Sequence, residues 1–150
     1  MRGWRFASQP GLGALSGKEM GGFAASVLIV DCEARVLHTI ATMLRVNGHA
    51  VDCAASPQEA LRAVLGGLRP VLMIAELVLP EMDGVTLAEQ IRRSLPKLAV
   101  IIATTGAADL PDRMAQRGFS VLAKPFRREA LNAAVEAALA GSVPIPACTI

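Results

Sequence analysis

Four polar residues stand directly after short apolar runs: Asp31 after Ser26–Val30, Glu76 after Val71–Ala75, Thr104 after Ala99–Ala103 and Lys124 after Phe119–Ala123. Brought together, they would form an acidic pocket closed by a lysine, with Glu76 a strand-end carboxylate within reach of Lys124. Cys32, Glu33 and Thr105 flank the set. Each residue also has a plainer role. Asp31 could be the N-cap of a helix over Ala34–Asn47, with Glu33 complementing the dipole in its first turn. Thr104 and Thr105 suit strands by propensity alone. Cys32 reads as a small half-buried filler, or as a redox thiol if Lys124 lowers its pKa, which the neighbouring carboxylates oppose. Cys53 reads as core, and His38 and His49 as surface or half-buried residues. Arg92-Arg93 and Arg127-Arg128 read as solvated helix residues.

What must position these groups is a strict alternation of apolar runs with segments of helical period. Ser26–Val30, Ala50–Ala54, Val71–Ala75, Ala99–Ala103 and Phe119–Ala123 are the strand candidates, short and apolar enough to be buried on both faces. Between and after them lie helices over Ala34–Asn47, from Ser56 to Gly66-Gly67, over Val85–Ser94, Leu110–Arg117 and Arg128–Ala140. Ser56-Pro57-Gln58-Glu59 is a helix start with Ser as N-cap, Pro at the first helical position and Glu completing a capping box. Gly48, Gly118 and Gly141 close helices. Strand–helix units in this order predict an α/β fold, a doubly wound parallel sheet with helices on both faces. In such folds the functional site lies beyond the C-terminal strand ends, where all four polar residues fall.

Residues 1–24 are rich in Gly, Ser and Ala without a sustained period and read as a flexible leader, with Met20 an alternative start. Residues 25–141 form the domain, and 142–150, with Pro144 and Pro146, an extended tail. Of the 150 residues, 53% are hydrophobic and 19% charged, enough for one packed core and too apolar for disorder. A net charge of +2 gives no reason to expect nucleic acid. The three cysteines, Cys32, Cys53 and Cys148, make no metal-like spacing with His38 and His49, and read as reduced cytoplasmic thiols. Neither a signal peptide nor a spanning helix is expected.

The strand-end motifs, taken in order, resemble the receiver (CheY-like) domains of bacterial response regulators over about residues 26–140. Val27-Leu-Ile-Val-Asp-Cys-Glu33 resembles the opening strand and its acidic end. Leu79-Pro80-Glu81-Met82-Asp83-Gly84 resembles the loop after the phosphoacceptor. Val100-Ile-Ile-Ala-Thr104 resembles the strand with the switch hydroxyl, and Leu122-Ala-Lys-Pro-Phe126 the lysine strand end, which usually has a cis peptide before the proline. The resemblance implies a flavodoxin-like (βα)5 fold with strand order 2-1-3-4-5. It also implies the family's chemistry: a strand-end aspartate takes a phosphoryl group from a partner histidine with Mg²⁺, a lysine contacts the phosphoryl oxygens, and a hydroxyl and an aromatic residue move inward. Carried over, Asp31 is the first acidic position, Thr104 the switch hydroxyl, Lys124 the lysine, and Asp31 with Glu76 a weakened Mg²⁺ site.

This chain departs from that pattern at three key positions. Glu76 occupies the phosphoacceptor position, its carboxylate reaching about 1.5 Å further than an aspartate's. Cys32 replaces the second acidic residue, a soft thiol where a hard oxygen ligand is expected. Val121 stands in place of the aromatic switch residue. Thr105 is also bulkier than the small residue common at its position.

The leading expectation is a stand-alone, degenerate receiver without enzymatic activity or a needed cofactor, acting as a phosphorylation-independent or phosphomimetic module. It would bind a histidine kinase, a phosphotransfer protein or another regulator through Phe119–Ala140, as a monomer or weak homodimer, away from membrane and nucleic acid. The alternative is an active receiver phosphorylated at Glu76 or a neighbour, requiring Mg²⁺. A nucleotide-binding protein ranks last, because Asp31-Cys32-Glu33 would repel phosphate where a Gly-rich loop is needed.

Overall fold

A computed structural model describes residues 25–105 and 110–141. The expectations for residues 1–24 and 142–150 lie outside the described residues. Five strands, β1 (Ser26–Val30), β2 (Ala50–Ala54), β3 (Leu72–Glu76), β4 (Ala99–Thr104) and β5 (Ser120–Ala123), alternate with five helices. These are α1 (Ala34–Val46), α2 (Pro57–Leu65), α3 (Gly84–Ser94), α4 (Leu110–Gln116) and α5 (Arg128–Leu139). The strands form one sheet in the order β2-β1-β3-β4-β5, all neighbours parallel, as the resemblance implies. Boundaries move by one or two residues; Glu76 and Thr104 are the last residues of their strands rather than the first beyond them.

The apolar runs are continuous because each strand is covered on both faces. On one face Leu28, Val30, Met73, Ala75, Val100 and Ile102 pack with α2, α3 and α4 residues such as Val64, Leu87 and Met114. On the other, Val27, Ile29, Ile74 and Ile101 meet Ile40 and Leu44 of α1 and Leu131 and Val135 of α5. Side chains alternate along a strand, so one run supplies both cores.

Local chemistry starts and stops the helices as expected. Ser56 Oγ accepts from Glu59 N–H at 3.1 Å, and Glu59 Oε1 accepts in return from Ala55 N–H at 2.8 Å. Asp83 caps α3 by accepting from Thr86 N–H at 2.8 Å. Gly48, Gly118 and Gly141 take the left-handed conformation after α1, α4 and α5.

Candidate functional site

Parallel register brings the expected residues to one end of the sheet. Asp31 follows β1, its N–H donating to Ala54 O at 3.2 Å and so extending the β1–β2 ladder. Glu76 ends β3 opposite Ala103, and Thr104 ends β4 opposite Ala123. Lys124 N–H donates to Thr104 O at 3.0 Å, which sets the lysine beside β4. The Lys124–Pro125 peptide is cis. Over these residues lies an open cavity of about 500 Å³, walled by Cys32, Glu33, Val36, Leu77, Val78, Thr105 and Leu110.

Lys124 organises the floor. Its Nζ donates to Asp31 Oδ2 at 3.1 Å and, in a closer contact, to Glu76 Oε1. The remaining carboxylate oxygens are held by backbone: Asp31 Oδ1 accepts from Glu33 N–H at 2.9 Å and Glu76 Oε2 from Val78 N–H at 3.2 Å. Asp31 is buried, with side-chain exposure of only 5%, against 14% for Glu76 and 18% for Lys124. At such depth a carboxylate needs a partner, and one lysine serves two. Burial acts to raise the pKa of Glu76. The Lys124 ammonium and the Val78 N–H outweigh it and hold the acid below its ordinary value. Burial likewise acts to lower the pKa of Lys124, and Glu76 and Asp31 more than reverse it. Glu76 and Lys124 thus form an ion pair that holds near neutrality.

The β3–α3 loop is shaped around the same carboxylate. Gly84 N–H donates to Leu77 O at 2.8 Å, and a Cβ on Gly84 would lie 2.3 Å from Glu76 O, so glycine is required there. Glu81 adopts a left-handed φ of 71°, and its carboxylate is engaged by Gln58 of α2.

Several plainer readings need correction. Asp31 is not the N-cap of α1. Glu33 occupies that position without a side-chain capping bond, and therefore does not lie in the first turn. Asp31 instead turns inward and bonds Glu33 N–H and Lys124. Cys32 is exposed at the rim rather than half-buried. Val121 is half-buried against the core, and the Thr104 hydroxyl donates to Thr105 O at 3.4 Å. Arg92 is no solvated helix residue: it bonds Leu98 O through Nε at 3.0 Å and Nη2 at 2.9 Å, and lies 4.7 Å from the Phe119 ring centre. Asp52, buried in β2, is marked by no motif, being a lone acid in an apolar run.

The donor set does not suit a hard divalent cation. The two floor carboxylates are both bonded to Lys124, a soft thiol stands beside them, and Glu33 is exposed on the wall. Among the described residues no three His, Cys, Asp or Glu side chains converge to hold an ion.

Comparison with known proteins agrees with this geometry. Residues 27–136 match the family model described as the response regulator receiver domain. The chain is 37% identical over 123 residues to the transcriptional regulatory protein GlrR of Escherichia coli, covering 80% of this chain and 27% of that protein. It is 34% identical to the sensor kinase CckA of Brucella abortus over 75% of this chain and 12% of that one. The chain thus spans about a quarter or less of these relatives. Among solved structures, a response regulator receiver domain protein from Clostridium thermocellum superposes with a TM-score of 0.70 at 28% identity, covering 77% of this chain and 94% of the other. No helix among the described residues is long and apolar enough to cross a membrane. With the sheet order, the strand-end set and the match over residues 27–136 in agreement, the chain belongs to the response regulator receiver domains of two-component signalling.

Proposed function

We propose that this receiver works without phosphoryl transfer, as a protein-interaction module whose strand-end site is fixed by Glu76. The observation that carries the reading is the double contact of Lys124 with Asp31 and Glu76. The extra methylene of Glu76 brings its own anionic oxygen to the lysine, where the family's pattern places a phosphoryl oxygen. A Glu–Lys pair can then hold the site in one state. Cys32 weakens the metal site on which phosphorylation depends, and half-buried Val121 provides no aromatic rotor to follow Thr104. The module is in this reading not an enzyme, and it is cytoplasmic. Its partner is a histidine kinase, a phosphotransfer protein or another regulator, docking on the Phe119–Ala140 face.

Two measurements test it. Incubation with acetyl phosphate and Mg²⁺, followed by intact mass, should leave the protein unmodified; a stoichiometric gain abolished by Glu76→Ala would overturn the proposal. Pull-downs should show a partner that binds wild type and is lost with Glu76→Gln and Glu76→Ala. Equal capture by all three would make Glu76 structural only.

A further inference from the structure

Away from the strand-end pocket, one side chain is left unexplained by packing or partners. Asp52 lies in the middle of β2, an edge strand, and is only 4% exposed. Its Oδ1 is buried and has no hydrogen-bond partner, alone in this respect among the described side chains. It pairs in register with Leu28, and alternation puts it on the face of Ala54, where Ala60, Ala63 and Val64 of α2 pack. A bare carboxylate there is poorly solvated, whereas a protonated one is tolerated.

We propose that the β2–α2 flank is a pH-responsive segment, closed while Asp52 is protonated and loosened when Asp52 ionises. The surrounding charges do not prevent this. From α1, Arg45 offers the only opposing positive field among the described residues, but its Nη2 donates to Val51 O at 3.0 Å and it makes no ion pair with Asp52. On α2, Glu59 is bonded to Ala55 N–H, and Arg62 is exposed. On β2 itself, Cys53 is the titratable neighbour, and β1 presents Leu28. Burial raises the Asp52 pKa from 3.8 to about 6, the Arg45 field lowering it in part. The folded flank thus binds the proton more tightly than the opened one. Its stability is full below the opened-state value and falls as pH rises through about 6. Because β2 has a neighbour on one side only, it can open without the rest of the sheet.

His49, at the entrance to β2, titrates with the opposite sense. Its Nδ1 accepts from Ala25 N–H at 3.1 Å, and burial lowers its pKa although Glu136 opposes this. The test therefore compares variants that share His49. Amide hydrogen exchange of wild type and Asp52→Asn, corrected for intrinsic rates, is measured at pH 5 and pH 7.5. The ratio of opening constants in β2 and α2, wild type over variant, should grow about tenfold between the two pH values. At pH 7.5 the opening constants of β2 and α2 should also exceed those of β3 and β4, which open only with the whole sheet. Asp52→Leu, which removes the titration by a different route, should reproduce that growth. A ratio independent of pH, or β2 and α2 opening no more readily than β3 and β4, would overturn the proposal.

Discussion

At the scale of single residues, the site is a case of three charges sharing one small volume. Among the described residues Lys124 is the sole side-chain partner of two carboxylates, one of them almost fully buried, so its loss should be felt more than that of either acid. Lys124→Met leaves Asp31 buried with no counter-charge, and denaturant unfolding at pH 7 should show a loss of about 3 kcal/mol. Glu76→Gln keeps a hydrogen-bond acceptor for Lys124 and removes one negative charge, so it should cost less, about 1 kcal/mol. The pH dependence separates the two effects. Glu76 has a folded pKa below its ordinary value of 4.5, so its contribution is present above 4.5 and is lost as pH falls through the lower, folded value. Wild type should therefore lose stability on acidification below pH 4.5 more steeply than Glu76→Gln, read from the denaturation midpoint at successive pH values.

At the scale of elements, the helix starts and strand runs were legible because each is made by its own residues. Ser56-Pro57-Gln58-Glu59 writes a helix start in four letters, and the structure closes it with the Ser56–Glu59 and Glu59–Ala55 bonds. The fastening of α3 was not legible, since it depends on groups far along the chain. Arg92 reads as one more basic residue at a helix end, but its guanidinium reaches the carbonyls of Leu98, Arg117 and Gly118 and stacks on Phe119. Only the fold reveals those backbone acceptors. Glu89 pairs with Arg117 alongside. Arg92→Ala should cost about 2 kcal/mol, and Arg92→Lys should recover little, because a point charge cannot replace the planar fork across three carbonyls. At the other end of α3, Gly84→Ala forces its Cβ against the Glu76 carbonyl. It should lower the thermal midpoint by a margin matching about 1–3 kcal/mol, although Ala is the better helix former.

For the whole molecule, the sheet has two kinds of end and two kinds of edge, and the sequence reads them unequally. The C-terminal strand ends were identifiable because polar residues follow apolar runs. Their joint state was not, because the sharing of Lys124 is a matter of distances that no spacing encodes. The β2 edge gave no signal, since Asp52 occupies a position that alternation assigns to core. It leaves the fold with two carboxylates of opposite behaviour: Glu76, whose folding contribution grows with ionisation, and Asp52, whose contribution is lost with it. Global stability should therefore rise from strongly acidic pH, as Glu76 ionises, and then decline toward neutrality as Asp52 does. Asp52→Asn should remove the decline and keep the rise. In urea, its midpoint should exceed that of wild type by the equivalent of about 1–2 kcal/mol at pH 7.5, with much less difference at pH 4.5 and an unchanged m value. An altered m would mean that the variant changes how much surface is buried, and the pH dependence would then belong to the compactness of the β2–α2 flank rather than to one buried carboxylate.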